Sequence, residues 1–396
     1  MALHVTTRRL DGPAPAGAST WFRSPRRTLD GWGVAAVVEV PAPWPDHLRA
    51  VDALLAAYVT EDEVGLAGCG PVAFASLPFR RDAAARFVVP AVVVGTSSDG
   101  ERWITTVDDA EVPAVAGATP PAGPSSVELR TSLDPVEWCS QVAAATERIR
   151  AGALHKVVLA REVTVTADRD WDAVAVGERL AAAHPHSLRF AVDGHVGASP
   201  ELLVSRIGDV VRAQPMAGTT PRSGDVEVDQ RRAAELLASG KNRDEHQITI
   251  DAVHDALLGW CSYLDAEPLP SVVPAGSVQH LATLVEGRLA HPAPSVLELV
   301  AALHPTPAVG GSPRAAALAV VDELEDLDRG RYAGPVGWVD AAGNGAWAVG
   351  IRGVELEGPT ARVRAGVGVV ADSDPVAELE ETRAKLAATL GALTRL

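Results

Sequence analysis

Lys156 stands inside the alternating apolar run HKVVLAR (155–161), where a strand ordinarily carries Val or Thr. Alternation sets His155, Val157 and Leu159 on one face and Lys156, Val158 and Ala160 on the other. A lysine buried there loses hydration, which pushes it toward the neutral amine and suits it to accept a proton. A gatekeeper lysine on an edge strand satisfies the same pattern. Glu378, Glu381 and Lys385, spaced i, i+3 and i+7, share one helix face. Glu381 and Lys385 also have the favourable orientation of an exposed i,i+4 pair. Glu245, in KNRDEH (241–246), is expected in the first turn of a helix, where the dipole alone favours an acid. Two distant carboxylate clusters without Cys, and with few suitably spaced His, suit an oxygen-seeking ion such as Mg2+. Zinc would want His or Cys.

Three further segments carry polar groups that a reaction needs. GASPELL (197–203) places Glu201 after a Ser-Pro turn at the head of a strand. A carboxyl in a partly apolar pocket there would have a raised pKa and act as an acid, although an ordinary turn carboxylate fits equally. QPMAGTTPR (214–222) offers Gly218 and Thr219 as small hydrogen-bonding contacts, or as a plain turn. Arg352 is read in the strand AWAVGIRG with Ala348 and Gly350 on its side by parity. Small neighbours leave room for a guanidinium to meet a carboxylate bidentately, and an exposed sheet face explains the residue nearly as well.

The elements that must position these groups lie after residue 125. GATPPAGPSS (117–126) reads as a linker or exposed loop. Asp134-Pro135 supplies an N-cap and N1 proline for an amphipathic helix through about Ala151. Strands are expected at 155–166, 188–196, 201–206 and 210–214, with helices at roughly 226–239 and 244–263. From VGWVD to ARVRAGVGVV the chain reads as a three-stranded meander with Gly/Asn and Gly/Pro turns. A final helix opens at Asp374-Pro375. Hairpins segregated from helices indicate an α+β fold with large antiparallel sheets flanked by helices. Residues 1–125 are expected to be a variable N-terminal part of the same fold and 126–396 its core, in one structural domain overall.

Composition sets the outer limits. The chain has 396 residues, 47% of them hydrophobic, and a formal net charge of −16. That charge argues against nucleic acid or an anionic membrane as the main partner. Cys69, Cys139 and Cys261 are an odd count without CxxC, as expected of free thiols in a reducing cytoplasm. No run approaches the ~18 apolar residues of a membrane span, and residues 1–30 lack the apolar core of an export signal.

GVGVVA (366–371) matches the GxGxxG/A dinucleotide fingerprint, but that motif needs a helix to begin at its glycines. Val369 and Val370 instead continue the strand, and too little chain follows for a second strand. The nucleotide-binding reading fails. The glycines still bare N–H groups that a ligand carboxylate can approach.

Taken in order, HKVVLAR, GASPELL, PMAGTTPR, KNRDEH, HPTPAVGG (304–311), GNGAWAVGIR, RAGVGVV and SDPVAELEETRAK resemble the chorismate-utilising enzymes over about residues 125–396. Aminating members usually carry Gln where this chain has Lys156. Aminodeoxychorismate synthases have a lysine nucleophile where this chain has Ala217. The sequence is therefore similar to the water-using branch, and HPTPAVGG resembles isochorismate synthases more than salicylate synthases. The resemblance implies that Lys156 activates water for attack at C2 of chorismate while Glu201 protonates the departing C4 hydroxyl. It implies Mg2+ on Glu245 and Glu381 with Glu378 nearby, and substrate contacts from Arg352, Gly366, Lys385, Gly218, Thr219 and Ala308. Gly240-Lys241-Asn242 departs from relatives that place acids before the metal glutamate. The product would feed menaquinone, siderophore or salicylate synthesis, in a monomer needing no amidotransferase subunit.

Overall fold

The computed structural model describes residues 3–115 and 123–394. Of the expected linker, residues 117–122 lie outside the described residues. Among the described residues, most strands belong to two large sheets, one of 13 strands and one of 9, with a smaller sheet of 3 beside them. Pairing is antiparallel except between His4–Arg9 and Val59–Asp62. Each large sheet joins a block of strands from before residue 125 to a block from after it. The larger sheet runs from Val127–Thr131 through Lys156–Ala167, Thr360–Val369, Gly353–Glu357 and His195–Ser199 to N-terminal strands. The smaller carries Val210–Gln214, Leu202–Ile207, Gly345–Val349 and Pro335–Asp340 in succession. The architecture is α+β, as the segregation of hairpins and helices predicts.

Between the two sheets Phe22, Leu29, Trp103 and Phe190 pack on Phe74, Val336 and Trp338, a dry core of large side chains. Helices Pro135–Arg150, Arg314–Leu324 and Pro375–Thr394 cover the outer face of the larger sheet. There Trp138, Val142 and Leu379 meet Val157, Leu159, Val367 and Val369. The alternation in HKVVLAR thus resolves as expected: Val157 and Leu159 face helices, while Lys156 and Val158 face a cavity.

Helix ends follow their capping chemistry. Asp134 accepts from Val136 N–H at 2.8 Å, and Asp374 from Ala377 N–H at 2.8 Å. The helix expected at 244–263 instead spans Gly240–Leu258. Ser239 Oγ accepts from Asn242 N–H, which starts the helix early, and Gly259 ends it before the strand Cys261–Ala266. The strand expected at 188–196 is a hairpin, Leu188–Val192 and His195–Ser199, turned by Asp193 (φ 50°) and Gly194 (φ 79°). The C-terminal meander is also divided. It has four strands, and the chain leaves the smaller sheet after Val349 to join the larger at Gly353. Among the described residues no helix is long and apolar enough to cross a membrane.

Candidate active site

The chain crosses between the two large sheets at Pro200-Glu201 and again at Gly350–Arg352. The two crossings hold each other through backbone bonds. Val349 N–H donates to Glu201 O, and Ala198 N–H donates to Arg352 O, each at 3.1 Å. Glu201 and Arg352 therefore stand where paired strands end and side chains reach into a cleft. Arg352 is accordingly not in the strand that parity assigned to it; it occupies the joint with φ 55°. Left-handed backbone at a non-glycine residue costs energy and is held by surrounding structure.

A cavity of about 280 Å³ opens at these joints. Lys156, Glu201, Gly218, Thr219, Glu245, Ala308, Arg352, Gly366, Glu378, Glu381 and Lys385 all line it. Every residue singled out from the sequence thus reaches one wall or another of a single pocket.

Lys156 has a side chain 2% exposed, and its Nζ lies 2.8 Å from Glu245 Oε1. Its strand is hydrogen-bonded on both sides, to Gly311–Ser312 and to Thr360–Val369, so the edge-strand reading fails. Space for this ion pair comes from Gly368: a Cβ there would stand 2.7 Å from Lys156 Cε and 3.0 Å from Glu245 Oε1. Glu245 lies in the second turn of its helix rather than the first, since the helix begins at Gly240.

Glu201 is 3% exposed. Ser199 Oγ accepts its N–H at 3.2 Å, which fixes the Ser-Pro-Glu joint. Burial pushes the carboxyl up to about 8, against the opposing pull of Met216 N–H and of Lys156. A carboxyl with that value carries its proton at neutral pH and is a donor.

The remaining cations are held by polar neighbours. Arg352 Nη2 donates to His280 Nε2 at 3.1 Å, and Nη1 donates to Lys385 O at 3.4 Å. His280 is buried, and desolvation together with Arg352 and Lys385 puts its pKa well below the usual imidazole range. Since Nε2 accepts from Arg352, the proton belongs on Nδ1, which faces Gly218 O at 3.2 Å and Thr219 Oγ1 at 3.1 Å. Among the described residues Arg352 has no carboxylate within ion-pair distance. Lys385 Nζ donates to Gly366 O at 2.9 Å and pairs with Glu381 at 2.7 Å. Gly366 is thus held by its carbonyl, and a Cβ on it would press Leu159 O at 2.9 Å.

The three candidate metal carboxylates share the pocket without forming a coordination shell. Glu245 pairs with Lys156, Glu381 with Lys385, and Glu378 accepts from Ser373 Oγ at 2.7 Å. Among the described residues no group of three or more His, Cys, Asp or Glu is gathered closely enough to hold a metal. The three candidate ligands are nonetheless all carboxylates, oxygen donors of the kind that suit a hard divalent ion retaining waters.

His280, Tyr332 and Gly368 are pocket residues that the sequence reading did not select. His280 had a signal: it interrupts the apolar strand VQHLA much as Lys156 interrupts its own. Gly368 had none beyond membership of GVGVV.

Comparison with known proteins adds an independent line. The profile of the family described as "Chorismate binding enzyme" matches residues 13–394. "Isochorismate synthase DhbC" of Bacillus subtilis is 39% identical over 82% of this chain and 81% of its own. "Putative isochorismate synthase MenF" of Mycobacterium tuberculosis is 40% identical over 82% of this chain and 87% of its own. The crystal structure of a putative 2,3-dihydroxybenzoate-specific isochorismate synthase from Bacillus anthracis superposes with a TM-score of 0.81 at 35% identity, covering 95% of this chain and 96% of that one.

Proposed function

Because the chain belongs to the chorismate-binding enzyme family, we propose that it is an isochorismate synthase, interconverting chorismate and isochorismate with water as nucleophile. The observation that carries the reading is the pairing, on one cavity, of a buried amine, Lys156, with a buried carboxyl, Glu201, that holds its proton at neutral pH. A hydration that expels a hydroxyl needs both groups at once.

In this reading chorismate enters as a dianion and one carboxylate meets the Arg352 fork, already oriented by His280. Lys385 and the small walls at Gly218, Thr219, Ala308 and Gly366 complete the grip. Lys156 Nζ accepts a proton from water as the oxygen bonds to C2. The ring double bonds shift, the C4–O bond breaks, and Glu201 hands its proton to the departing oxygen, which leaves as water. One water is consumed and one released, so product and substrate are isomers and the reaction runs in both directions. Returning one proton from Lys156 to solvent and one from solvent to Glu201 resets the site.

Glu245 and Glu381, with Glu378 beside them, would hold Mg2+. Such an ion would supply positive charge toward a bound substrate carboxylate. Ala217, small and without an amine, supports water over an amine nucleophile, and no amidotransferase subunit is needed. We further infer that residues 1–125 and 126–396 form one domain and that the enzyme is a monomer.

The test is purified protein with chorismate and Mg2+, products separated chromatographically, and the same assay started from isochorismate. Both directions should reach one mixture. Stoichiometric pyruvate with salicylate would move the protein to salicylate synthesis, and an aminated product would end the water-using assignment.

A further inference from the structure

The Lys156–Ala167 strand is continuously paired on one edge, from Val157 to Thr166, with Thr360–Val369. Its other edge is broken. Gly311–Ser312 covers Lys156 and Val157, and Val127–Thr131 covers Val163 to Ala167. Gly310 O accepts from Val158 N–H at 3.1 Å, and the two groups that follow on this edge, Val158 O and Ala160 N–H, are met by a buried ion pair instead of a strand. Arg329 Nη2 donates to Val158 O at 2.7 Å, and Glu325 Oε2 accepts from Ala160 N–H at 2.8 Å. The two side chains, each 2% exposed, meet as a two-bond fork, Nε to Oε1 at 2.6 Å and Nη2 to Oε2 at 2.7 Å. Arg329 also lies over the Phe79 ring, its Cζ 4.3 Å from the centroid. Its remaining arm, Nη1, donates to Val309 O at 2.9 Å.

Val158 and Val309 both line the catalytic cavity, the first two residues from Lys156 and the second next to Ala308. One guanidinium therefore ties the strand that carries the amine to the loop at Ala308 and Val309, which also lines the cavity. Stability alone does not explain such a pair, since apolar replacements of buried ion pairs are often neutral or stabilising. An apolar pair offers no donor to Val158 O or Val309 O and no acceptor to Ala160 N–H. We propose that Arg329 and Glu325 are positioning residues for the reaction, a side-chain rung that sets the distance between Lys156 and the Ala308 wall. The inference rests on the functional reading above and adds residues that touch no substrate.

Two variants test it, each measured against wild type, whose own turnover is the test of the functional reading. Arg329→Lys keeps the charge opposite Glu325 and loses the fork, so one amine must choose among three carbonyl and carboxylate partners. Arg329→Met combined with Glu325→Leu removes both charges at similar volume. For both variants kcat should fall by about 10- to 100-fold, the scale of a misplaced catalytic group, with KM changed less than about threefold. Melting temperature and circular dichroism should show the double variant folded. A folded variant of either kind with wild-type kcat would overturn the proposal and leave the pair a structural one. A loss in kcat for folded Arg329→Lys supports it even where the double variant does not fold.

Discussion

Arg352 donates to His280 Nε2 at 3.1 Å, so a neutral imidazole, rather than a carboxylate, orients the guanidinium at the mouth of the crossing. A carboxylate there would neutralise the charge that an anionic substrate must meet; an imidazole fixes direction and leaves the charge available. Arg352→Gln should therefore act on substrate capture. A charge-assisted bond is worth about 1.5–3 kcal/mol, so kcat/KM should fall by roughly 10- to 100-fold, with the melting temperature little changed. Steady-state kinetics decide it: an unchanged kcat/KM would remove Arg352 from the binding site.

Glu201 makes a prediction of opposite sign for activity and stability. Its carboxyl sits at about 8 in the fold against 4.5 when exposed. As a proton donor it should lose function as pH rises through about 8, giving kcat/KM an alkaline limb there. For stability, burial of the neutral acid is free of penalty below the unfolded value. The contribution is lost progressively as pH rises toward 8, because the unfolded chain releases the proton and the folded one retains it. Glu201→Gln should then be inactive yet more stable than wild type at pH 8, by on the order of a few kcal/mol, with the gap closing near pH 5. Equilibrium denaturation at the two pH values checks this. An active Gln variant, or one less stable at pH 8, contradicts the assignment.

Glu245 and Glu381 stand in different helices, 136 positions apart in the sequence, and line the same cavity. EDTA should abolish turnover and Mg2+ restore it. Glu245→Gln and Glu381→Gln should each cost at least about 100-fold in turnover at saturating Mg2+. If Glu381 serves only its pair with Lys385, the change would alter stability by under ~1 kcal/mol and leave kinetics intact. Kinetic titration with Mg2+ separates the two.

Gly368 faces the Lys156–Glu245 pair closely enough that any side chain displaces it. Gly368→Ala would bring a Cβ to 2.7 Å from Lys156 Cε. The atom it meets belongs to a side chain, so the fold should survive while the amine moves. Turnover should drop by about 10- to 100-fold at near-normal melting temperature. Wild-type kinetics would show that Lys156 has room to spare.

Much of this site was legible in the chain. Lys156 and Glu201 betray themselves as polar groups in apolar surroundings, and Asp134 and Asp374 cap their helices as their types require. Arg352 was misplaced because periodicity describes one sheet at a time. Whether AWAVGIRGVEL continues or crosses depends on which strands pair with its halves, and those lie far away in sequence. The rung made by Arg329 and Glu325 is hidden for the same reason: an i,i+4 charged pair looks like helix surface until its burial is known. Gly368 rather than Gly366 opens space for the amine because register, not motif, decides which glycine faces it.

In the proposed reaction water, activated at Lys156, adds to C2 while the C4 hydroxyl departs toward Glu201. The most direct measurement is turnover of chorismate in ¹⁸O-water, with mass analysis of the product and the Lys156→Gln variant in parallel. Wild type should yield isochorismate carrying one ¹⁸O, at the C2 hydroxyl, with no pyruvate released. The variant should bind a chorismate analogue but incorporate no label. Unlabelled isochorismate from wild type would rule out water as the nucleophile, and label incorporated by Lys156→Gln within a few-fold of the wild-type rate would remove Lys156 as its base.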